Sequence, residues 1–197
     1  MLKKLLYLIC IVVPAVLSAD TISNYFSSLD HSIKALGVYR VDFRLESNGE
    51  TFNGYYIVKD HDFFFCFMGE EVYSHKDTRY IIDTNRKEVT ILSSEDMSHD
   101  FLDNPAMDFS KIPEIFDAKE VGQDIILTYK DSSKRDESVR ICRKTSSPWP
   151  ECLVLNSSAA SITMYIESIH HYNEPFPLYA SSKYSGYIIS DMRAKIK

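Results

Sequence analysis

The residues with the clearest chemical use in this chain are apolar, and the work they suit is sheltering another apolar surface. Tyr39-Arg40-Val41-Asp42-Phe43-Arg44-Leu45-Glu46 alternates apolar and charged side chains. In an extended chain that alternation sets Tyr39, Val41, Phe43 and Leu45 on one face and the charges on the other. Tyr56 and Val58 of a second strand are expected to join that face, and Phe64, Tyr80 and Ile82 of later strands to continue it. Aromatic strand faces are more often plain core than cavity lining. Here Met97, Met107 and Met164, with Phe101 and Phe109, add the flexible side chains of adaptable apolar surfaces.

The groups that catalysis needs are scattered. His31, His61, His75, His99, His170 and His171 show no metal-ligand spacing, and His170 and His171 on a strand would face opposite sides. There is no G-x-S-x-G elbow and no phosphate loop among the six glycines. Asp60-His61-Asp62 reads as a hydrogen-bonded turn rather than a general-base pair. No catalytic residue, metal or cofactor is expected, and no enzymatic activity.

The elements that position the apolar residues follow from periodicity. Ile22, Phe26, Leu29, Ile33 and Leu36 recur at helical steps, so residues 20–36 are expected to form an amphipathic helix. Asp20 or Thr21 would cap its start and Gly37 its end. Asn48-Gly49 marks a hairpin turn between Tyr39–Glu46 and Thr51–Lys59. Phe63–Met68 is apolar on both faces, as in a strand covered on both sides. Short strands follow at Glu71–His75, Tyr80–Asp83 and Glu88–Leu92.

Between Ser93 and Asp117 the pattern changes to two short, interrupted helices containing Phe101 and Leu102. Strands resume at Asp124–Lys130, Ser138–Cys142, Cys152–Leu155 and Ser161–Ile169, with a last one near Tyr184–Ser190. The expected class is α+β: a long curved antiparallel sheet, or incomplete β-barrel, with helices covering its concave face.

The N-terminus reads as an export signal over residues 1–19. Lys3 and Lys4 precede the apolar Leu5–Val13, and Pro14–Ala19 ends in small residues suited to cleavage. That core is shorter than the ~20 residues of a membrane span. Losing both lysines takes the formal charge from −6 to −8, which argues against nucleic acid and against adhesion to anionic lipid. Cys66 reads as a buried hydrophobe. Cys142 and Cys152 either close a cross-strand disulfide, worth roughly 3 kcal/mol, or remain two ordinary thiols.

The order of elements resembles the LolA-like periplasmic carriers of outer-membrane lipoproteins. The likeness rests on the amphipathic helix and the hairpin Val38–Lys59, with Gly54 opening Gly54-Tyr55-Tyr56-Ile57-Val58-Lys59. It continues through Phe63–Met68 and the pair Tyr80-Ile81-Ile82-Asp83 and Glu88-Val89-Thr90-Ile91. It is best over residues 20–92 and returns near Tyr184–Arg193. It implies an open antiparallel barrel closed by a helical lid around an apolar cavity for acyl chains.

On that reading, residues 20–197 are one monomeric, periplasmic lipid-binding domain without a cofactor. Its partners would be acylated lipoproteins or other acyl lipids, with an inner-membrane donor and an outer-membrane acceptor protein. A sixteen-carbon chain left in water costs on the order of 12 kcal/mol, which such a carrier offsets. Ile22, Phe26 and Leu29 of the helix, Val41, Phe43, Leu45, Tyr56, Val58, Phe64, Tyr80 and Ile82 of the strands, and Phe101 and Leu102 of the lid would line the cavity. Phe64→Glu would then block uptake without unfolding the protein.

The chain departs from the family pattern in two places. Family carriers often follow the hairpin's last lysine with an Arg-Pro pair tied to lid opening, whereas here Lys59 precedes Asp60-His61. The Cys142–Cys152 pair with Trp149 between them is not explained by the resemblance. Two other readings stay open. One is an envelope interaction module with a filled core, using the outer sheet face or a tail bearing Arg193, Lys195 and Lys197. The other is a lipid hydrolase using His61 and Asp62.

Overall fold

The computed structural model describes residues 14–47, 49–93, 109–134, 136–144, 146–158 and 160–193. Helix α1 spans Pro14–Leu36, and six strands follow: β1 Tyr39–Ser47, β2 Glu50–Lys59, β3 Asp62–Phe67, β4 Glu70–His75, β5 Thr78–Asp83 and β6 Glu88–Ser93. A 3-10 turn at Phe109–Lys111 leads into the short helix α2, Ile112–Ile115. Then come β7 Phe116–Val121, β8 Asp124–Tyr129, β9 Ser138–Arg143, β10 Pro150–Asn156, β11 Ser161–His171 and β12 Ile188–Asp191. The twelve strands make an open, mostly antiparallel sheet, so the α+β expectation holds. One strand breaks the antiparallel rule: β12 runs parallel to β6.

The chain divides into two compact units. One holds α1 up to Ser32 together with Phe109–Ser161, and the other begins at Ile33 and takes in β1–β6 and the residues from Ile162 onward. No described helix is long and apolar enough to cross a membrane.

In the second unit the strand order is β12-β6-β5-β4-β3-β2-β1-β11. Gly49, at φ +82°, turns the β1–β2 hairpin so that Ser47 pairs with Glu50. The decisive turn is the next one. Asp60 takes a left-handed φ of +55°, which a short polar side chain tolerates, and Lys59 pairs with Asp62. That register sets Val58 opposite Phe63 and Tyr56 opposite Phe65.

The consequence is a correction. Phe63, not Phe64, shares a face with Val41 and Val58. Tyr39, Val41, Val58, Phe63 and Val72 form one buried cluster, with Ile33 and Leu36 of α1 packed against it. Phe64 pairs with Ile57 and Tyr73, and with Ile82 and Val89 it belongs to a separate cluster on the opposite face, where Tyr80 also packs. A one-residue shift in pairing exchanges the two faces of a strand, and alternation along single strands does not reveal it. Cys66, expected to be buried, is half-buried on β3 and packs against that same opposite-face cluster.

Phe43 lies over Gly54, its register partner, and stacks on Phe65 with ring centroids 5.9 Å apart. A Cβ at Gly54 would come within 2.5 Å of Phe43 Cζ. The glycine therefore lets the ring cover the strand.

The opposite face is covered by the chain after β11. Tyr172, Phe176, Tyr179 and Tyr187 pack on the Phe64 cluster, and Tyr179 stacks on Tyr80 at 3.9 Å. A polar network ties this cover down. Tyr184 Oη donates to Glu71 Oε2 at 2.5 Å, and Tyr73 Oη donates to the same oxygen at 2.8 Å and lies 2.8 Å from Tyr184 Oη. Lys183 Nζ donates to Glu71 Oε2 at 2.7 Å and to Tyr73 Oη at 3.1 Å. Burial works against the Glu71 carboxylate, but the hydrogen bonds from Lys183, Tyr184 and Tyr73 outweigh it and hold the group below its ordinary range.

In the first unit the strand order is β10-β9-β8-β7, around buried Ile125, Leu127, Val139 and Ile141. Cys142 and Cys152 are register partners joined by a disulfide, with Cα atoms 5.0 Å apart. Three boundaries differ from expectation. α1 starts at Pro14, so Asp20 and Thr21 lie inside the helix rather than at its start. The helical reading up to Asp117 ends early, because Phe116 enters β7 and pairs with Tyr129 at 4.4 Å between rings. The last strand begins at Ile188, after a 3-10 turn at Ser181–Tyr184.

Two outcomes follow for stability. Phe64→Glu places a charge in a site only 5% exposed, so it should lower unfolding free energy by roughly 3–5 kcal/mol in urea titration rather than leave the fold intact. Glu71 has a depressed value in the fold, so its stabilisation is complete above its ordinary value of 4.5 and fades as pH falls below it. Glu71→Gln should therefore lower stability near neutrality and flatten the acid limb of a urea-midpoint profile.

Candidate functional site

The site sits wholly in the first unit. On α1, Ile22, Ser23, Phe26, Ser27 and Asp30 recur at helical spacing and turn one stripe toward the chain after Phe109. Opposite them stand Phe109, Ile112 and Pro113, the first residues of β7, Phe116, Asp117 and Ala118, and Lys130 just beyond β8. Together they bound a cavity of about 620 Å³. That falls within the ~300–1,000 Å³ usual for small-molecule sites.

Local sequence explains the walls. Pro113 sits in the first turn of α2, where a missing N–H costs no hydrogen bond. The helix then stops at Phe116, whose backbone is extended and whose ring pairs across to Tyr129. Lys130 N–H donates to Ile115 O at 3.0 Å, fastening the end of α2 to the end of β8.

The cavity has an apolar interior and a polar mouth. Phe26, Ile112 and Phe116 are buried and Ile22 is half-buried. Ser23, Ser27, Asp117, Ala118 and Lys130 are exposed. Lys130 Nζ donates to Pro113 O at 2.5 Å and lies 4.0 Å from Asp117 Oδ1. Such a space can hold an apolar chain and leave a head group in water.

A second set of contacts fixes α1 on this unit. The Arg143 guanidinium lies 5.3 Å from the Tyr25 ring centroid and also binds Glu120 and the Gln123 carbonyl. Burial pushes the Tyr25 hydroxyl up to about 12, with Arg143 pulling the other way. Cation–π contacts of this kind contribute about 0.5–2 kcal/mol.

The residues expected to line one cavity are distributed among several places. Ile22 and Phe26 line it, and Leu29 is buried on the same helix. Val41, Phe43 and Val58 are buried in the second unit's core, with Tyr56 packed against it. Leu45 is half-buried on β1. Phe64, Tyr80 and Ile82 lie in the opposite-face cluster. Phe101 and Leu102 fall outside the described residues.

Sequence reasoning did not place Phe109, Ile112 and Phe116 in the lining. Their spacing of three and four is the one signal that could have marked them, and the prolines and acidic residues around them blur it. Asp62, named above with His61, lies 2.7 Å from His75 Nδ1 and accepts from the Lys76 N–H at 3.0 Å. Among the described residues no group of three His, Cys, Asp or Glu side chains could hold a metal ion. A smaller cavity of about 380 Å³ in the second unit is lined by Tyr73, Lys76, Thr78, Tyr80 and Tyr179, among others.

No family model matches the chain, and no curated protein matches it. Solved structures do. One similar structure is an uncharacterized conserved protein from Thermus thermophilus, with TM-score 0.53 and 7% identity, covering 87% of this chain and 99% of that one. The Thermus protein shares this fold. At 7% identity the likeness is one of fold alone. Two lower-scoring structures are a LolA superfamily protein from Nitrosomonas europaea and the Pseudomonas aeruginosa MucA/MucB complex. The first has TM-score 0.44 and 7% identity, covering 78% of this chain and 94% of that one. The second has TM-score 0.45 and 12% identity, covering 83% of this chain and 61% of that one.

The cavity walls should separate by substitution. Phe116→Ala, at a side chain 1% exposed, should cost roughly 3–5 kcal/mol in urea unfolding. Ala118→Ser at the exposed mouth should stay within about 0.5 kcal/mol of the parent.

Proposed function

We propose that this protein binds the acyl chain of a lipid or acylated protein in the cavity beneath α1, and carries it through the aqueous envelope after export. The observation that carries this reading is the cavity itself: about 620 Å³, apolar inside, and open through a polar mouth. An acyl chain gains ~0.8 kcal/mol for each methylene it buries. Its affinity comes from area rather than from matched polar groups, which suits a carrier that must release its load. The LolA-like order of elements in the sequence supports the same reading. Ile22 and Phe109, the half-buried apolar side chains of the lining, would meet the chain, over a floor of Phe26, Ile112 and Phe116. No residue is given a catalytic role.

A specific observation favours a second reading, an interaction module. The face carrying Val41, Val58 and Phe63 is filled, and β12 ends the sheet with Ile188, Ile189 and, just beyond, Met192 exposed. Edge strands with apolar side chains accept a partner strand readily.

Mass spectrometry of lipids and acylated proteins co-purifying with the exported protein tests the first reading. The parent should carry a stoichiometric acyl species. A Ser23→Trp, Ser27→Trp double variant, which fills the mouth from exposed positions, should fold with the same melting temperature and lose that species. An acyl species retained at full stoichiometry by the double variant would remove the cavity from the account.

A further inference from the structure

The smaller cavity, of about 380 Å³, lies wholly in the second unit, between the β4–β5 hairpin and the chain at Pro177, Leu178 and Tyr179. One of its polar groups is held in a single state. His75 Nδ1 is 2.7 Å from Asp62 Oδ2, and Asp62 Oδ1 accepts the Lys76 N–H at 3.0 Å. An ionised carboxylate only accepts, so Nδ1 carries the ring proton and Nε2 is the acceptor that His75 brings to the cavity lining. His75 pairs with Thr78 across the hairpin, which puts the imidazole and a half-buried threonine side by side on one face. Pro177, Leu178 and the stacked pair Tyr80 and Tyr179 supply the apolar surface. Lys76 and Asp77, both exposed, add one charge of each sign.

We propose that this cavity binds a neutral sugar unit. It shares no residue with the acyl cavity of the first unit. A sugar ring brings hydroxyl donors for His75 Nε2, further hydroxyls that exchange hydrogen bonds with Thr78, and C–H faces for Pro177, Leu178 and the tyrosines. An acyl tail would cover Nε2 and the Thr78 hydroxyl without giving either a hydrogen bond, which costs affinity. A carboxylate would set its acceptors against an acceptor nitrogen. The charges of Lys76 and Asp77 offset one another, so they draw in neither anion nor cation.

The test is ring-nitrogen NMR of the full chain carrying isotope-labelled histidine, at a pH above the ordinary imidazole range. Cellobiose and chitobiose are the probes, and hexanoate is the comparison, each titrated to tens of millimolar. The His75 Nε2 signal, assigned by its absence from His75→Leu, should move saturably with at least one disaccharide and stay in place with hexanoate. Saturation transfer to that disaccharide should vanish in His75→Leu, and its apparent affinity should fall roughly threefold to tenfold in Thr78→Val. Thr78→Val keeps the shape of the residue and reads the same site if His75→Leu melts early. An Nε2 signal unmoved by both disaccharides overturns the proposal, as does a shift with hexanoate as large as that with sugar. Saturation transfer that persists in His75→Leu, or an unchanged affinity in Thr78→Val, also overturns it by moving the sugar elsewhere on the chain. None of these outcomes bears on the first unit's cavity.

Discussion

The Asp60-His61 turn is the constraint on which much of this structure depends. By pairing Lys59 with Asp62 it decides which of Phe63 and Phe64 meets Val58. With Phe63 on the Val58 face, β1, β2 and β3 build a dense aromatic and aliphatic layer, in which Phe43 stacks on Phe65 and meets Phe67 at a tilt. That layer leaves Val41, Phe43 and Val58 at most 2% exposed. The larger of the two cavities described lies in the first unit, where residues 109–118 face the stripe on α1.

The same turn gives Phe64 to the other face, and that face then needs its own cover. The chain after β11 supplies it with tyrosines, whose rings pack while their hydroxyls require partners. Glu71 and Lys183 meet that requirement. The arrangement makes the cover conditional on a polar network that is almost fully satisfied, which holds it more specifically than apolar contact alone would. Beyond the cover the chain reaches the sheet edge as a parallel strand, and there its apolar side chains are exposed.

Much of the fold was legible in the residues themselves. Alternation found β1 and β2, the turn residues separated the strands up to β6, and heptad-like spacing found the face of α1 that packs. The parts that escaped depend on partners distant in sequence. The face taken by Phe64 is a property of pairing between strands, so no single strand reports it. Phe116 becomes a strand because Tyr129 waits across from it, although Ile112 and Ile115 before it read as helix. The parallel seat of β12 depends on β6, about a hundred residues earlier.

The site was half legible for a similar reason. Ile22 and Phe26 stand out as part of a helical stripe. Phe109, Ile112 and Phe116 lie in a stretch where two prolines and acidic residues blur the period, and only the fold brings them opposite α1. The expected lining on β1–β3 had the right chemistry but went into core, since a strong aromatic face serves packing as readily as binding.

The central claim is that an acyl chain occupies the first unit's cavity and not the face of β1–β3. The most direct test is methyl NMR of the isoleucine and valine side chains during titration with an acyl amphiphile. The account predicts shifts at Ile22 and Ile112 with Val41 and Val58 unmoved. Shifts at Val41 and Val58 with Ile112 unmoved would contradict it.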